Sequence, residues 1–485
     1  MATTDAGAPQ RRSTTSLLLL ASGASFLAVL DVTVVNLAMP DLREDFTGSV
    51  FQSLSWVITI YAIVFAALLA PAGRLADALG RRTLFLAGIS VFTAASLLCA
   101  VAPNLDILLV ARAIQGFGAA AMIPASLAIV LMDTPPERRR AAIGQWSAAA
   151  ALAAAVGPAV GGVLVDSFGW RSLFLINIPF GLLFLYGAAA IPRTTAPGTE
   201  RKLPDVLGTI MLGAGVGLFC LGISKGGEWG WTEASSLLCV TVGPILIALC
   251  LLRSAKHPAP ALEVSLWRSR TFALANAAAF FYGIALFSWL LVGVLYVTQV
   301  WGYSELEAGL AMTPGAFAAT IVAMRVGKLP PAYGPRLATA GGAVILAGTG
   351  FLLAFTLPDH SMFLAYWLPL GVLAGIGMGA ITTGTSTAAA LSVSPLRFAG
   401  ATGLNQTARQ IGGAIGIAIL ATVVSGALKD IADFERIYLI AACAAMVVAL
   451  LGLGLTIKLP PAPPAATPPE QATGEQKTPT TDAAS

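Results

Sequence analysis

Asp31 is the one carboxylate set well inside a long apolar stretch of this chain. It lies nine residues before Pro40, so about 14 Å from the end of its helix at ~1.5 Å per residue. An intramembrane carboxylate costs about 2.5–3.5 kcal/mol on insertion scales, and such residues are functional by default. Arg112, in the fourth apolar stretch, lies about 10 Å in from the same face, so the two can meet. Burial favours the neutral acid, while a neighbouring arginine favours the carboxylate. A pair held between these tendencies can bind a proton in one arrangement of its helices and release it in another. The competing reading is a static salt bridge that only pins helices 1 and 4. Asn36, five residues on, points about 140° away around the helix; it reads as an interhelical hydrogen bond rather than a ligand.

Two other groups stand out. Gly157, Pro158, Gly161 and Gly162 interrupt the fifth apolar stretch. Proline removes a backbone donor and glycines let a second backbone approach closely. That suits a membrane helix that bends and slides against a neighbour, or, more simply, a small-residue packing seam. The thirteenth stretch carries Asn405, Gln406, Arg409 and Gln410, with Arg409 about 16 Å deep. Polar groups at that depth face a cavity or another helix. Gln115, Met122, Tyr282, Trp289, Asn405, Gln406 and Arg409 are therefore the candidate substrate-cavity residues.

The elements that position these residues follow from composition. The chain is 57% hydrophobic and 11% charged, with mean hydropathy +0.82, whereas soluble proteins are about 25% charged. It is a polytopic membrane protein, held in a lipid bilayer. Stretches of about 20 apolar residues number fourteen, running from Ser16–Met39 to Ile437–Ile457, with the sixth at Leu173–Ile191 and the thirteenth at Phe398–Leu428. Arg43, Arg171, Lys225, Lys429 and Arg436 fall in loops on one side. Apart from Arg112 and Arg409 in the helices, the remaining basic residues fall on the other, which places both termini in the cytoplasm. Trp170, Trp229, Trp231 and Trp301 near span ends read as interfacial anchors. Alanine-, glycine- and arginine-rich usage suggests a bacterial plasma-membrane protein.

The chain also repeats itself. AGRLADALGRRTLFLAG (72–88) is echoed by VGKLPPAYGPRLATAGG (326–342), and QGFGAAA (115–121) by AGIGMGA (374–380). The organisation that fits is a cytoplasmic tail (1–15), a six-helix bundle (16–191), a linker with two extra helices (192–270), a second six-helix bundle (271–457) and a disordered cytoplasmic tail (458–485). Internal duplication is common among secondary transporters, with the substrate path between the repeats.

Several motifs now point to a family. Gly73-Arg74-Leu75-Ala76-Asp77 with Gly80-Arg81-Arg82 resembles the signature loop of the major facilitator superfamily. Arg112, Gln115, Gly116 and Gly118 resemble its proton-coupling helix motif, and Gly157 to Gly162 the antiporter motif of its drug exporters. Leu30 to Pro40 and Trp170 to Pro179 are similar to stretches typical of its fourteen-helix drug:proton antiporters. The resemblance implies an all-α major facilitator fold with two six-helix bundles and two inserted helices. It implies proton coupling through Asp31 and Arg112, and a conformational latch at Gly73, Arg74, Asp77, Gly80 and Arg81. Aspartate there can cap a neighbouring helix N-terminus and pair with arginine. In the second copy its place is taken by Pro331, so the latch is expected on one side only.

The function expected is a proton-coupled antiporter exporting hydrophobic or amphipathic small molecules, drugs or antibiotics, by alternating access. It would act as a monomer, with protons as the energy source and no cofactor, metal or nucleic-acid partner. Cys99, Cys220, Cys239, Cys250 and Cys443 read as small apolar side chains, and His257 and His360 fall in loops. A carrier of a metabolite, lipid or peptide, or a non-transporting sensor, are the alternatives. An enzyme is not indicated, since no loop offers a nucleophile–base pair or a phosphate-binding loop.

Overall fold

The computed structural model describes residues 14–46, 51–189, 204–330, 333–423 and 431–456. Residues 1–13 of the expected N-terminal tail and the whole expected C-terminal tail fall outside these residues, as do Pro331, Lys429 and residues 192–203 of the expected linker; Thr14 and Thr15, expected in the tail, begin the first helix. The membrane helices are α1 (Thr14–Val35), α2 (Phe51–Leu79), α3 (Arg81–Ala100), α4 (Leu105–Asp133), α5 (Arg139–Phe168), α6 (Asn177–Ala189), α7 (Val206–Trp229), α8 (Ala234–Ser254), α9 (Arg270–Gln299), α10 (Glu305–Val326), α11 (Gly334–Thr356), α12 (Leu368–Leu391), α13 (Phe398–Val423) and α14 (Ile431–Leu453). Twelve of these are long and apolar enough to cross a membrane. The short apolar α6 and the more polar α13 complete the set, and no strand occurs among the described residues.

Two expected spans take a different course. The first helix stops at Val35, gives way to a 3-10 turn at Asn36–Ala38 and resumes as a short helix, Met39–Asp45. Pro40 near the start of that helix explains the break, because it has no N–H to continue the earlier ladder. The sixth span is split into a single turn at Ser172–Leu175 and α6, with Ile176 between them. The break points Asn177 into the bundle.

The described helices form separate apolar cores. One gathers α9 to α14 around Tyr282, Trp289, Tyr296 and Tyr438; two others gather α1 to α6 around Phe85, Phe92 and Trp146, and around Leu30, Trp170 and Phe174. The sequence echo reappears as geometry. A Cβ on Gly118 would lie 2.9 Å from the Gly88 carbonyl oxygen, and one on Gly377 would lie 2.6 Å from that of Gly342. Gly116 likewise abuts the Tyr61 carbonyl on α2, and Gly375 that of Gly315 on α10. The same helix crossings are thus built twice from equivalent glycines, because only a residue without Cβ permits backbones to touch.

The inserted pair is less peripheral than its position in the chain suggests. Leu212, Val216 and Cys220 of α7 pack on Ala66 and Ala70 of α2 and on Leu404, Ile411 and Ala414 of α13, covering a seam between the two halves. α7 also runs past the expected span end, so that Lys225, expected in an external loop, is 1% exposed. Its ammonium donates to Ser55 Oγ at 2.9 Å, pairs with Glu228 at 2.9 Å and lies 4.7 Å from the centre of the Trp56 ring. A buried lysine needs such partners. Trp170, expected at the lipid interface, is instead 2% exposed and donates its indole N–H to Asp45.

Candidate proton-coupling site and gate

Asp31 is fully buried, and its partners come from two other helices. Arg112 on α4 donates from Nη1 to Asp31 Oδ2 at 2.6 Å. Gln115, one turn further along α4, donates from Nε2 to Asp31 Oδ1 at 2.8 Å, and Asn177 at the start of α6 donates to the same oxygen at 2.8 Å. Ser96 on α3 takes both amides, at 2.8 Å from Gln115 and 3.3 Å from Asn177. The carboxylate thus uses both oxygens, with a cation on one and two amides on the other.

Arg112 is held as tightly. Nε donates to the Val57 carbonyl at 2.9 Å, and Nη1 also reaches Gln115 Oε1 at 2.7 Å. Its guanidinium lies 4.4 Å from the centre of the Tyr61 ring, where the face of the aromatic quadrupole attracts a cation. The cluster therefore joins α1, α2, α3, α4 and α6 through one charge pair. Asn177 Oδ1 and the Tyr61 hydroxyl are buried without a hydrogen-bond partner. Asn177 and Ser96 are the site residues that reading the sequence missed. The signal was available, since Asn177 interrupts an apolar run as Asp31 does, but no helical spacing connects residues so distant in the chain.

The glycine-proline segment of α5 sits one turn from Asp31. A Cβ on Gly157 would collide with Thr33 Oγ1 and lie 2.9 Å from Thr33 Cβ; one on Gly161 would lie 2.8 Å from Leu37 Cδ1. The adjoining face of α5 meets the second half: Gly309 on α10 faces Pro158 Cβ, at 2.6 Å from where its own Cβ would be, and Gly162 faces Leu306. Gly157 and Gly161 therefore serve the contact with α1, while Pro158 and Gly162 serve the contact with α10. α5 lies between the helix carrying Asp31 and the opposite half.

At the far end of α2, Asp77 reaches across the same divide. Its Oδ2 accepts from the Gly400 amide at 2.7 Å and its Oδ1 from the Ala399 amide at 3.3 Å, in the first turn of α13, where carboxylates complement the helix dipole. Arg81 pairs with Asp77 at 2.9 Å and donates to the Pro395 carbonyl at 2.6 Å. Gly73 abuts the Ala399 carbonyl. Gly80 has φ +109° at the turn into α3, a conformation that glycine adopts readily and other residues rarely. Arg74 turns elsewhere, to Glu263 at 2.9 Å and the Pro260 carbonyl at 3.2 Å. The equivalent loop of the second half meets the first half too, since Arg140 donates to the Leu329 carbonyl at 2.6 Å. This end is closed. At the opposite end an open depression of about 880 Å³ is lined by Leu37, Asp41, Asp45 and Asp166 of the first half and by Leu306 of α10.

The candidate cavity residues are dispersed. Gln115 belongs to the Asp31 cluster, and Met122 is fully buried at the α3–α4 crossing. Tyr282 bonds Thr382 Oγ1 at 2.8 Å and the Met378 carbonyl at 3.1 Å. Trp289 packs edge-on against Tyr438 inside the second half. Asn405 donates to the Ala275 carbonyl at 3.3 Å, Gln406 Oε1 is buried without a partner, and Arg409 lies within electrostatic reach of Tyr282. The side chain of Asn36 lies outside the described residues.

Comparison with known proteins agrees with this architecture. The chain is 32% identical to the multidrug resistance protein Stp of Mycobacterium tuberculosis over 85% of its length and 76% of that protein's. It is 35% identical to the cephamycin export protein CmcT of Amycolatopsis lactamdurans over 84% of this chain and 85% of that one. It is 34% identical to the puromycin resistance protein pur8 of Streptomyces alboniger over 84% and 82%. The crystal structure of the human organic anion transporter MFSD10 superposes with a TM-score of 0.64 at 15% identity, covering 91% of this chain and all of that one, which is a likeness of fold. Residues 21–417 match the family model described as Major Facilitator Superfamily, and with twice-built helix crossings in an all-helical membrane chain, this protein is a membrane transporter belonging to the major facilitator superfamily.

Proposed function

We propose that the protein is a proton-coupled antiporter of the bacterial plasma membrane that exports bulky hydrophobic or amphipathic small molecules, antibiotics among them. The observation that carries this reading is the enclosed Asp31–Arg112 pair, bridged to α3 and α6 by amides and seated one turn from the glycines on which α5 meets α1. Protonating Asp31 removes the charge that compensates a buried guanidinium, and an unpaired buried charge costs several kcal/mol. The helices around Arg112 must then rearrange. A neutral acid also has a proton to donate, and an amide turned by 180° offers an oxygen to accept it, so Gln115 and Asn177 can hold either protonation state. α5 carries the adjustment to α10 and the second half.

In this scheme the bundles at 16–191 and 271–457 rock about α5 and α10. Asp77 caps α13 while the cytoplasmic end is shut, and the cargo leaves from the other side. One charge moved through ~100 mV supplies about 2.3 kcal/mol, enough for roughly a fifty-fold gradient. The exporters and resistance proteins among the relatives favour outward transport. Arg409 has no carboxylate partner among the described residues and Asp31 is already engaged, which favours cargo that is neutral, zwitterionic, singly charged or anionic.

The test is pH-gradient-driven transport of a fluorescent monocation in proteoliposomes, with Asp31→Asn as the variant. The variant is expected to fold but to lose more than ninety per cent (on the order of tenfold or more) of gradient-driven transport. Undiminished transport would refute the proton role.

A further inference from the structure

Glu263 lies on the segment between the inserted helix pair and α9, beyond every motif considered so far. Its side chain is 12% exposed and meets two arginines at once: Arg74 Nη1 at 2.9 Å from Oε1 and Arg397 Nε at 2.7 Å from Oε2. Arg74 belongs to α2 in the first half. Arg397 belongs to the turn Pro395–Arg397 that leads into α13 in the second half. A single carboxylate from neither bundle's helices therefore bridges both.

The Arg74 half is the more enclosed; Arg397 is 43% exposed and meets Oε2 as an ion pair without hydrogen-bond geometry. Arg74 also donates to the Pro260 carbonyl three residues upstream, and Asp205, at the entry to the inserted pair, accepts from Arg253 Nη2 at 2.9 Å and donates its backbone N–H to the Ala259 carbonyl at 2.9 Å. The segment carrying Glu263 is thus tied down just upstream of it, at Ala259 and Pro260. Leu262 and Leu266 flank it in a small cleft shared with Asp77, Gly400 and Leu404. The Asp77 cap and the Glu263 bridge occupy the same cleft and span the same divide. Whichever half Glu263 follows when the halves separate at this end, one of its two ion pairs must break.

We infer that Glu263 is a second clasp on the gate, through which the inserted helix pair biases the transporter toward the state closed at the Asp77 end. This rests on the two-bundle rocking scheme proposed above. It gives the inserted pair a role in the cycle: α7 seals the seam between α2 and α13, and the segment leaving α8 supplies the carboxylate that both halves grip. Charge is essential to the clasp, so glutamine, with the same shape, should release it. Coupling terms of this kind commonly change a conformational equilibrium by about 5- to 150-fold.

The experiment measures the separation of the halves at this end by pulsed electron resonance in nanodiscs. Spin labels replace exposed Met132 on α4 and Tyr333 before α11, in a background with Cys443 changed to serine. Glu263→Gln is expected to raise the ratio of long to short separations about tenfold, within that range. Arg397→Gln should do the same, and the double variant should add little to either single one. Asp77→Asn serves as the control on the neighbouring cap. An unchanged distribution in folded, monodisperse Glu263→Gln, with Asp77→Asn shifted, would overturn the clasp and leave the rocking scheme standing. A single separation in all variants, with and without substrate and at every pH tried, would overturn the rocking scheme itself and the clasp with it. Additive effects of Glu263→Gln and Arg397→Gln would also overturn it, since a shared bond can be lost only once.

Discussion

Asn177 donates a hydrogen bond to Asp31 across 146 residues of sequence, at 2.8 Å and with both side chains fully buried. It can do so because the sixth span breaks at Ile176 and begins anew at Asn177. The bond makes a clear prediction. A hydrogen bond to a charged group contributes about 1.5–3 kcal/mol, so Asn177→Leu should lower thermal stability and reduce gradient-driven transport by about tenfold. Asn177→Gln should recover part of the loss. Wild-type transport by a stable Asn177→Leu protein would reduce the contact to packing.

The glycines of α5 should differ in their tolerance of a methyl group. Gly157→Ala drives a Cβ into Thr33, whose own Cβ stands 2.9 Å away, whereas Gly162→Ala meets only the flexible end of Leu306 at 3.2 Å. Overpacking of a close helix contact costs about 1–3 kcal/mol. Transport measured as drug tolerance of a sensitive host should fall for Gly157→Ala and stay near normal for Gly162→Ala. Adding Thr33→Gly to Gly157→Ala should restore activity; equal effects at the two glycines would contradict the assignment of faces.

Accessibility of single cysteines tests the orientation. With the Asp77 end in the cytoplasm, Glu233→Cys should be labelled from outside and Lys256→Cys only after permeabilisation, since both positions are exposed. Lys225→Cys should resist labelling from either side because position 225 is buried. External labelling at 256 would reverse the topology.

At the opposite end from the gate, Asp45 accepts from the Trp170 indole at 2.9 Å and pairs with Arg171 at 2.6 Å. The indole hydrogen bond first, and the arginine second, stabilise the carboxylate and hold its pKa below the usual aspartate value. A carboxyl more acidic in the folded than in the unfolded protein stabilises the fold above the ordinary value and loses that contribution as pH falls through the folded one. Thermal unfolding of the wild type should therefore lose stability relative to Asp45→Asn below about pH 4, while the two curves run parallel above pH 6. Parallel curves throughout would assign the contact no share in stability.

Substrate charge gives a further test. With Asp31 surrounded by Arg112, Gln115 and Asn177, a dicationic dye would find no second carboxylate beside it in the membrane interior among the described residues, and an uncompensated buried charge is strongly unfavourable. Export of a monocationic dye should exceed that of a dication of similar size by at least about tenfold. A preference for the dication would defeat this expectation and direct attention to Asp166 at the rim of the open depression.

Composition and motif spacing were enough to read the fold class, the fourteen spans and the doubling of the halves. Hydropathy acts locally, and a helix in lipid must satisfy its own backbone whatever surrounds it. Asp31 stood out for the same reason, because its cost is set by depth alone. Its partners did not. Arg112 could be placed at a matching depth, but Asn177 reaches the carboxylate only because a helix break turns it inward, and Ser96 braces the two amides only because glycine crossings bring α3 against α4 and α6. Places near span ends put Lys225 in an external loop and Trp170 at the lipid interface, yet the structure buries both, because a helix end is covered or bare according to what packs on it. The position of α7 over the seam, and of Glu263 between two arginines 323 residues apart in the chain (Arg74 and Arg397), are likewise properties of packing. Periodicity shows which face of a helix is apolar; only the assembled bundle decides which neighbour that face meets.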